Sequence, residues 1–380
     1  MARKAKDENV EVNPANRLES AVFKELLKKI QKEHGESILL KASDERAANT
    51  FKYETGILPL DIALGGGYAS GRQHIVAGMF SSMKTTLILK IIARAQRYCS
   101  NCHLPKEQHL AESNNTCKEF IDVTVAYIEP EGTFDREWAK TLGVNVDNVY
   151  YSQPSSGEAC IDIFDALLRS GNFDIAVLDS LATLVPMKVV EKSAGDGIVG
   201  TQALLVNRLI DKTTSALNDC ANIFGKKPTV FYTNQYRQKI TMFGDPNTLR
   251  GGPSPGYAAT TITKLTAASK PEFDENGQPL FMPIDFKIEK NKMSAPKMEG
   301  GFKLTLADTE TKRKGEIYDE DKVLELAENS GLYKKEGLYY YLEGIQIGTS
   351  KSQLERKLLM EPEFSQQVRK LILDKYLKNS

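Results

Sequence analysis

The sequence predicts an α/β fold with a mostly parallel sheet, and two observations predict it. Residues 75–86 pass from an apolar run through a turn of small residues into an amphipathic helical segment that starts at Lys84. Three further runs, 123–128, 173–178 and 229–233, are short, apolar and rich in β-branched residues, and polar residues follow each of them. Such runs are typical of buried parallel strands.

The turn before Lys84 has the properties of a phosphate-binding loop. Backbone N–H groups converge at a helix N-terminus, where the aligned peptide dipoles favour an anion. Lys84 is expected to reach the terminal phosphates of a nucleotide, and Thr85 to bind Mg²⁺. Met83 stands where the pattern G-x-x-x-x-G-K-[ST] has its second glycine, so an ordinary strand-to-helix turn is the alternative. The candidate nucleotide-binding residues of this loop are Gly78, Ser81, Ser82, Met83, Lys84, Thr85 and Thr86.

The other predicted strands end in groups that suit nucleotide hydrolysis. Asp179 follows one strand and is expected to hold the metal opposite Thr85. Glu131 follows another and is a candidate for orienting the attacking water, whereas Glu129 is equally consistent with a solvated loop acid. Gln235 follows the last, where a neutral amide can contact a γ-phosphate without burying charge. The carboxyl ends of parallel strands meet at one edge, so these groups predict a nucleotide-hydrolysing sheet.

Composition limits the classes of partner. The chain has 380 residues, with 50 Lys and Arg against 50 Asp and Glu, so nucleic-acid binding has to come from local clusters. The first residues are polar without an apolar core, and no segment approaches the roughly 18 apolar residues of a membrane span. We therefore expect a cytoplasmic protein without a membrane partner.

Three of the five cysteines crowd into residues 99–118, between the loop helix and the next predicted strand. The predicted zinc ligands are Cys99, Cys102, His109 and Cys117. His103 is the alternative histidine, disfavoured because it adjoins Cys102. A mobile loop with reduced thiols is the other interpretation, and a disulfide is disfavoured in a reducing compartment. Cys160 and Cys220 lie in apolar helical contexts and are expected in the core.

Two long glycine-rich stretches, 188–200 and 236–252, lie near the predicted catalytic edge. The second mixes Arg and Lys with Met and Phe, which suits single-stranded nucleic acid because cations meet phosphates while apolar groups stack on bases. A solvated flexible lid is the alternative. Lys290 and Lys292 end a later alternating segment, either as an exposed sheet end or as fingers reaching a neighbouring subunit's γ-phosphate.

Three regions are predicted. Residues 1–35 carry an apolar stripe of Leu18, Val22, Leu26 and Ile30 on a helix that must dock on the core or on a neighbouring subunit. Residues 36–316 form the core. Residues 317–380 form a small α+β domain with a helix, an aromatic hairpin and two terminal helices, whose Lys351 and tyrosines are candidate duplex contacts.

Several segments, in this order along nearly the whole chain, resemble the bacterial RecA recombinases. They are ETGILPLDIALGGG (54–67), SQPSSGEACIDIFDALLRSG (152–171), LDSLATLVP (178–186), TNQYRQKI (233–240) with MFG (242–244), EKNKMSAP (289–296) and EGIQIGTSKSQ (343–353). The resemblance implies a RecA-like P-loop ATPase core, ATP and Mg²⁺ as ligands, and a helical filament on single-stranded DNA that pairs with homologous duplex DNA.

The same resemblance assigns residues to roles. Lys84, Thr85 and Asp179 hold nucleotide and Mg²⁺, Glu131 activates water, and Gln235 is the γ-phosphate switch. Trp138 stacks on adenine, Lys290 and Lys292 act on the neighbouring protomer's nucleotide, and the N-terminal stripe packs on the adjacent protomer. The candidate DNA-binding residues of the two loops and the following helix are Val199, Asn207, Arg208, Arg237, Lys239, Met242, Phe243, Arg250, Gly251 and Gly252.

The sequence also departs from this family. Met83 replaces a loop glycine, which is tolerable if its φ is negative. The family's arginines are absent where Leu204 and Asp211 stand, so Asn207 and Arg208 are expected to compensate. The cysteine-rich stretch is atypical, and the usual acidic tail is missing, which predicts a weaker brake on duplex invasion and a divergent or phage-encoded member.

The expected function is a DNA-dependent ATPase that performs homologous strand exchange. A hexameric helicase is one alternative, although the sequence shows neither an arginine finger nor a helicase-type N-terminal domain. A non-hydrolysing single-strand binding or mediator protein, silenced by Met83, is the other.

Overall fold

The structure, a computed structural model, describes residues 20–35, 38, 39, 41, 50–111, 117–187, 200–238 and 247–378. Its helices are α1 Ala21–His34, α2 Leu58–Leu64, α3 Lys84–Ala95, α4 Lys106–Ala111, α5 Arg136–Thr141, α6 Gly157–Arg169, α7 Thr201–Asp219, α8 Ser254–Ala258, α9 Glu320–Asn329, α10 Lys351–Met360 and α11 Pro362–Lys378. Short 3₁₀ turns cover Val146–Asn148 and Leu181–Thr183, and a π-helical turn, Cys220–Phe224, extends α7.

The strands of the described residues fall into three sheets. They are β1 Lys52–Tyr53, β2 Tyr68–Ala69, β3 Gln73–Gly78, β4 Val125–Ile128, β5 Val149–Ser152, β6 Ile175–Leu178, β7 Thr229–Gln238, β8 Asn247–Leu249, β9 Thr261–Ala267, β10 Glu272–Phe273, β11 Pro279–Asn291, β12 Glu299–Thr305, β13 Ile317–Tyr318, β14 Tyr333–Glu336, β15 Tyr339–Leu342 and β16 Ile345–Gly348.

The central sheet has the order β13-β12-β11-β9-β3-β7-β6-β4-β5, with β10 beside β11 and β8 beside β7. From β9 to β5 all neighbours are parallel. The strands from β11 to β13 add antiparallel to the other side. The predicted α/β class with a mostly parallel sheet is therefore confirmed, and the antiparallel extension carries the segment that ends at Lys290 and Lys292.

Two apolar cores cover the two faces of this sheet. Side chains alternate along a strand, so Val76 packs with α2 and α3 on one face while its neighbour Ile75 packs with α6 and α7 on the other. The strands are buried on both faces, which explains their continuous apolar runs. This alternation decides which polar residue of each strand end faces the nucleotide side.

Helix α1 begins after Ser20, whose hydroxyl accepts a hydrogen bond from the Phe23 N–H at 3.2 Å, and ends at Gly35, whose φ is 96°. Val22 and Leu26 of the predicted stripe are 78% and 51% exposed. Among the described residues, no apolar core therefore covers these two side chains, as expected of a surface that packs on another chain. Leu18 lies outside the described residues.

The C-terminal region has its own apolar cluster, which Leu58 of α2 joins. Asp319 connects the two regions, since its carboxylate accepts the Leu58 N–H at 2.9 Å and pairs with Arg369 at 2.6 Å. The predicted aromatic hairpin is an antiparallel sheet of three strands, β14 to β16, because Tyr333–Glu336 pairs with β15. No helix among the described residues is long and apolar enough to cross a lipid bilayer.

Candidate functional site

The ends of four parallel strands bring the predicted nucleotide groups to one edge. Gly78, the last residue of β3, is the register partner of Gln235 on β7. On the next strands, Leu178 of β6 pairs with Tyr232 of β7 and with Ile128 of β4. Lys84, Glu131, Asp179 and Gln235 are therefore delivered to the same carboxyl edge of the sheet.

Lys84 folds over the loop that precedes α3. Its ammonium donates to the carbonyl oxygens of Met79 at 2.7 Å and Gly78 at 3.3 Å, and to the Ser82 hydroxyl at 3.3 Å. Burial lowers the pKa of Lys84, while the Asp179 and Glu131 carboxylates oppose that decrease. A Cβ on Gly78 would lie 2.1 Å from the Ser82 Oγ, so the tight loop requires glycine there. The loop thus holds the Lys84 ammonium against its own carbonyl oxygens, at a place where the ammonium can bind a phosphate group.

Met83 has φ 64° and ψ 27°, the left-handed region. The condition stated for tolerating methionine here, a negative φ, is therefore not met. The loop keeps the backbone conformation that a glycine would adopt, and this conformation is strained for methionine. The Met83 side chain offsets part of this cost by packing against the apolar core of α3, where its sulfur lies 3.7 Å from the Thr86 hydroxyl.

Asp179 is held by hydroxyl groups from three elements. One carboxylate oxygen accepts from Thr85 Oγ1 at 2.7 Å and from the Tyr127 hydroxyl at 2.9 Å, and the other accepts from Thr233 Oγ1. Burial and the nearby Asp179 carboxylate raise the pKa of Tyr127, which keeps it a donor. The hydroxyl and carboxylate oxygens of Thr85 and Asp179 are hard donors that fit Mg²⁺.

Tyr127 and Thr233 were not predicted as site residues. A signal for both is nevertheless present in the sequence. Thr233 lies two residues before Gln235, and Tyr127 two residues before Glu129, so strand alternation places each pair on one face of the sheet. Strand β6, which leads to Asp179, lies between these two strands. Hydroxyl groups on its two neighbours are therefore candidates for orienting the Asp179 carboxylate.

The two glutamates after β4 have different environments. Glu129 is 3% exposed, and its carboxylate accepts from the Thr133 N–H at 2.8 Å and from the Tyr151 hydroxyl at 3.1 Å. The alternative of a solvated loop acid is therefore wrong, because Glu129 fixes the turn that carries Glu131. Glu131 is exposed as a residue, but partial desolvation of its carboxyl and the charges of Asp179 and Glu129 raise its pKa. A raised pKa makes the carboxylate a stronger base.

Gln235 lies within a strand. The sequence predicted a strand over 229–233 with Asn234 and Gln235 after it, but β7 continues to Gln238 and pairs antiparallel with β8. The base of the predicted 236–252 loop is therefore a two-stranded ribbon, because residues 247–249 supply a partner for the strand's exposed edge. Lys239, Met242 and Phe243 lie outside the described residues, as does the side chain of Arg237.

The exit of this ribbon packs on α7. Gly251 has φ 87°, and a Cβ there would lie 3.0 Å from Val206 of α7. Gly252 lies against Ala203 in the same way, at 3.5 Å. On the helix itself Asn207 is half-buried and Arg208 is exposed. Val199 and the rest of residues 188–199 lie outside the described residues, so the first loop is represented by its end at Gly200.

Lys290 and Lys292 lie at the other end of the sheet from Lys84. Lys290 is the register partner of Ile262, which pairs with Ile75 near the start of β3. This is about 10 Å along the strand from Gly78, and two strands away. The Lys290 ammonium donates to the carbonyl oxygens of Gly256 and Tyr257 at 2.6 and 2.9 Å, and Lys292 donates to Tyr257 at 3.3 Å. Within one chain the pair is remote from its own phosphate loop.

Trp138 lies on α5, half-buried against the core of α3. The Asp135 carboxylate accepts its backbone N–H at 2.9 Å and so starts the helix. The Lys314 ammonium lies 5.8 Å from the indole centroid. At that distance a cation is attracted by the π-electrons of the ring.

Cys99, Cys102, His109 and Cys117 come together, with their ligand atoms within 4.8 Å of one another. His109 is buried, and among the described residues neither ring nitrogen has a hydrogen-bond partner. The Ile121 N–H donates to Cys99 Sγ at 3.4 Å. His103 instead stacks on Phe51 with centroids 4.3 Å apart. No disulfide joins the cysteines, all of which are described. A Cys₃His set with Cys99 and His109 buried and an unsatisfied imidazole fits tetrahedral zinc.

Cys160 and Cys220 are buried. Cys160 packs between the sheet and α6, and the Cys220 thiol donates to the Leu168 carbonyl at 2.8 Å. Both behave as small apolar core residues, as their sequence contexts indicate.

Comparison with known proteins identifies relatives over most of the chain. The family model described as the RecA N-terminal domain matches residues 21–124 and 119–309. Protein RecA of Acidothermus cellulolyticus is 32% identical over 348 residues, which are 91% of this chain and 90% of that protein. Protein RecA of Pseudomonas putida is 33% identical over 355 residues, 92% of this chain and 89% of that protein. Both matches cover about nine tenths of each protein.

Proposed function

This chain belongs to the RecA family, and on that premise we propose that it is a DNA-dependent ATPase that forms helical filaments on single-stranded DNA and catalyses homologous pairing and strand exchange. The observation that carries the proposal is the Asp179 carboxylate, which joins Thr85 of the phosphate loop to Thr233, two residues before Gln235. One acid thus links the nucleotide loop to the strand that leads into the second DNA loop.

ATP binds with its phosphates against the loop from Gly78 to Thr86. Lys84 gives up its contacts with the Met79 and Gly78 carbonyls and neutralises the β- and γ-phosphates. Thr85 and Asp179 hold Mg²⁺, which neutralises charge on the phosphates when bound. Trp138 stacks on the adenine.

Hydrolysis uses the groups that face the γ-phosphate. Glu131 takes a proton from the attacking water, because its raised pKa matches it to that task. Gln235 donates its amide to the γ-phosphate. Lys290 and Lys292 lie too far from the loop of their own chain, so they serve the nucleotide of a neighbouring protomer.

DNA contacts come from the two loops and from α7. Residues 239–246 connect β7 to β8 in the sequence, directly after the strand that contains Gln235, and Arg237, Lys239, Met242 and Phe243 bind backbone phosphates and stacked bases. Val199, Asn207 and Arg208 complete the surface with the glycines at 251 and 252. The exposed Val22 and Leu26 of α1 pack on the adjacent protomer, which makes the assembly a filament.

Measuring ATP hydrolysis with and without single-stranded DNA tests the proposal. We expect stimulation by DNA and a loss of at least about a hundredfold in Lys84→Ala, because the cation is removed from the transition state. Lys140→Ala is the matched control, since Lys140 is an exposed lysine that pairs with Glu137 at 2.8 Å. No hydrolysis in the unmodified protein, or normal hydrolysis in Lys84→Ala, would overturn the assignment.

Strand exchange separates this function from a helicase. The expected result is transfer of a labelled strand from duplex DNA to a homologous filament, without unwinding of a duplex that has no homologous partner. ATP-driven unwinding of heterologous duplexes would favour the helicase instead. Single-strand binding without any hydrolysis would favour a mediator protein.

We also propose that the Cys99, Cys102, His109 and Cys117 cluster holds structural zinc. The cluster follows the end of α3, and the Ser100 hydroxyl donates to Asp174 at 2.6 Å, just before β6. Asp174 in turn accepts the Thr124 N–H at 2.8 Å, just before β4. Metal binding therefore stabilises the stretch that joins the loop helix to the central strands.

Metal content of the purified protein tests the zinc site. We expect close to one zinc per chain, lost in Cys117→Ser and in His109→Ala, and retained in the control His103→Ala because His103 stacks on Phe51. A strong chelator is expected to lower the melting temperature of the unmodified protein and of His103→Ala alike. Equal zinc content in His109→Ala and the unmodified protein would contradict the ligand set.

A further inference from the structure

One carbonyl oxygen connects the nucleotide edge with the ends of both candidate DNA loops. The Ala182 oxygen accepts from Gln202 Nε2 at 2.9 Å and from Arg250 Nη1 at 3.4 Å. A carbonyl oxygen has two lone pairs, so both donors can be accommodated together. We call Ala182, Gln202 and Arg250 the Ala182 junction.

Each donor lies next to a different candidate DNA loop. Gln202 lies in the first turn of α7, directly after the loop that ends at Gly200. Arg250 ends the ribbon of the second loop. The backbone of Arg250 is fixed to β7, the strand of Gln235. The Arg250 N–H donates to the Gln235 carbonyl at 3.2 Å, and the Arg250 carbonyl accepts from Asn234 Nδ2 at 3.0 Å.

The acceptor belongs to the metal-binding segment. Ala182 lies three residues after Asp179, in the 3₁₀ turn Leu181–Thr183, and is 5% exposed. The Thr183 hydroxyl closes this turn by donating to the Ser180 carbonyl at 2.8 Å. A short, closed and buried turn transmits a displacement of Ala182 to Asp179, because close-packed interiors do not absorb such movements locally.

From this geometry we propose that the Ala182 junction makes ATP hydrolysis depend on DNA, with Arg250 as the positioning residue that holds the second loop's exit, Gln235 and the Asp179 segment in their active arrangement. The inference deepens the proposed function and rests on it. It also gives the Arg250 side chain an inward role, whereas the proposed DNA contacts of the second loop come from Arg237, Lys239, Met242 and Phe243.

The charge of Arg250 supports this placement. Burial and the carboxylates of Asp179 and Glu129 raise the pKa of Glu131, and the cations Lys84 and Arg250 oppose that increase. A guanidinium that moves with the DNA loop therefore also changes the protonation of the group that activates water.

The test measures the ratio of ATP hydrolysis with saturating single-stranded DNA to hydrolysis without it. In Arg250→Met we expect this ratio to fall about tenfold. Arg250→Lys is expected to keep most of the ratio, because an ammonium also donates to the Ala182 carbonyl. Gln202→Ala, at a half-buried position in the first turn of α7, is expected to lower the ratio less, since one donor remains. Arg313→Met is the matched control: it removes an exposed arginine that pairs with Asp308 at 3.4 Å, outside the nucleotide and DNA sites. It is expected to retain the ratio.

A merely structural role is separated by the pH profile. In Arg250→Met the acid limb of the DNA-stimulated rate is expected to move to higher pH, and Arg250→Lys is expected to restore it. A ratio within about twofold of normal in Arg250→Met would overturn the inference. Equal losses in the Met and Lys variants, with an unmoved acid limb, would overturn it too. Absence of stimulation in the unmodified protein would instead remove the proposed function, and this inference with it.

Discussion

Gly78 and Gln235 are register partners on the adjacent parallel strands β3 and β7. The residue that opens the phosphate loop therefore lies one strand spacing, about 4.8 Å, from the strand that leads into the DNA ribbon. The next residue, Tyr236, already pairs with Leu249 of the ribbon. The strand that leads into the loop before α3 and the ribbon of β7 and β8 are thus joined through one backbone pairing.

Mixing two inactive variants tests whether the lysine pair works between protomers. Lys84→Ala lacks the phosphate lysine, and the double variant Lys290→Ala, Lys292→Ala lacks the fingers. If Lys290 and Lys292 act on a neighbour, an interface is complete when one protomer supplies Lys84 and the other supplies the lysine pair. About a quarter of the interfaces in an equal mixture meet this condition, so about a quarter of normal DNA-stimulated hydrolysis is recovered.

The mixture gives a different result if Lys290 and Lys292 act on the nucleotide of their own chain. In that case no interface in the mixture is complete, and hydrolysis stays at the level of the separate variants. Lys287→Ala is the control for loss of a lysine on the same strand, since Lys287 is exposed and pairs with Glu299. It is expected to leave hydrolysis unchanged.

Phe243→Ala is expected to weaken single-strand binding about tenfold while nucleotide binding is retained, because stacking on a base is lost. Fluorescence anisotropy of a labelled oligonucleotide over a salt titration measures the effect. The slope against salt is expected to stay constant, since no phosphate contact is removed. Phe273→Ala, an exposed aromatic of β10, is the control. Unchanged affinity at every salt concentration would show that Phe243 does not contact DNA.

Met83 provides a test of backbone strain in the phosphate loop. Leu and Ile have the same volume, but a β-branched residue is far less tolerated at φ 64°. We therefore expect Met83→Ile to have a free energy of unfolding about 1–2 kcal/mol lower than Met83→Leu, measured by urea titration. Equal stabilities would mean that residue 83 is not in the left-handed region.

The pH dependence of hydrolysis tests Glu131. Water activation requires the deprotonated carboxylate, so the rate falls as the pH drops through its pKa, which is raised by burial and by the charges of Asp179 and Glu129. The acid limb is therefore expected above the usual glutamate range. Glu129→Gln removes one like charge while keeping an acceptor for the Thr133 N–H, so it is expected to move the limb to lower pH. A limb that moves to higher pH in that variant would contradict this account of Glu131.

The sequence predicts those parts of the site that depend on strand ends. Apolar runs followed by Asp179 or Gln235 are local patterns, and parallel strands bring their ends together whatever the details of packing. The Cys-x-x-Cys pair with His109 and Cys117 is likewise visible as spacing.

The remaining features depend on tertiary packing. The backbone conformation of Met83 follows from the tight loop around Gly78, which residue type does not reveal. Glu129 is buried because Tyr151 of a neighbouring strand covers it, and nothing near Glu129 in the sequence indicates that contact. Gln202 and Arg250 are 48 residues apart and meet only because the ribbon exit packs on α7.

Sedimentation velocity on a long single-stranded oligonucleotide tests the central claim, that bound nucleotide controls assembly on DNA. With ATP and Mg²⁺ we predict large species in which many protomers share one oligonucleotide, and with neither we predict their loss. The same small species under both conditions would contradict the account.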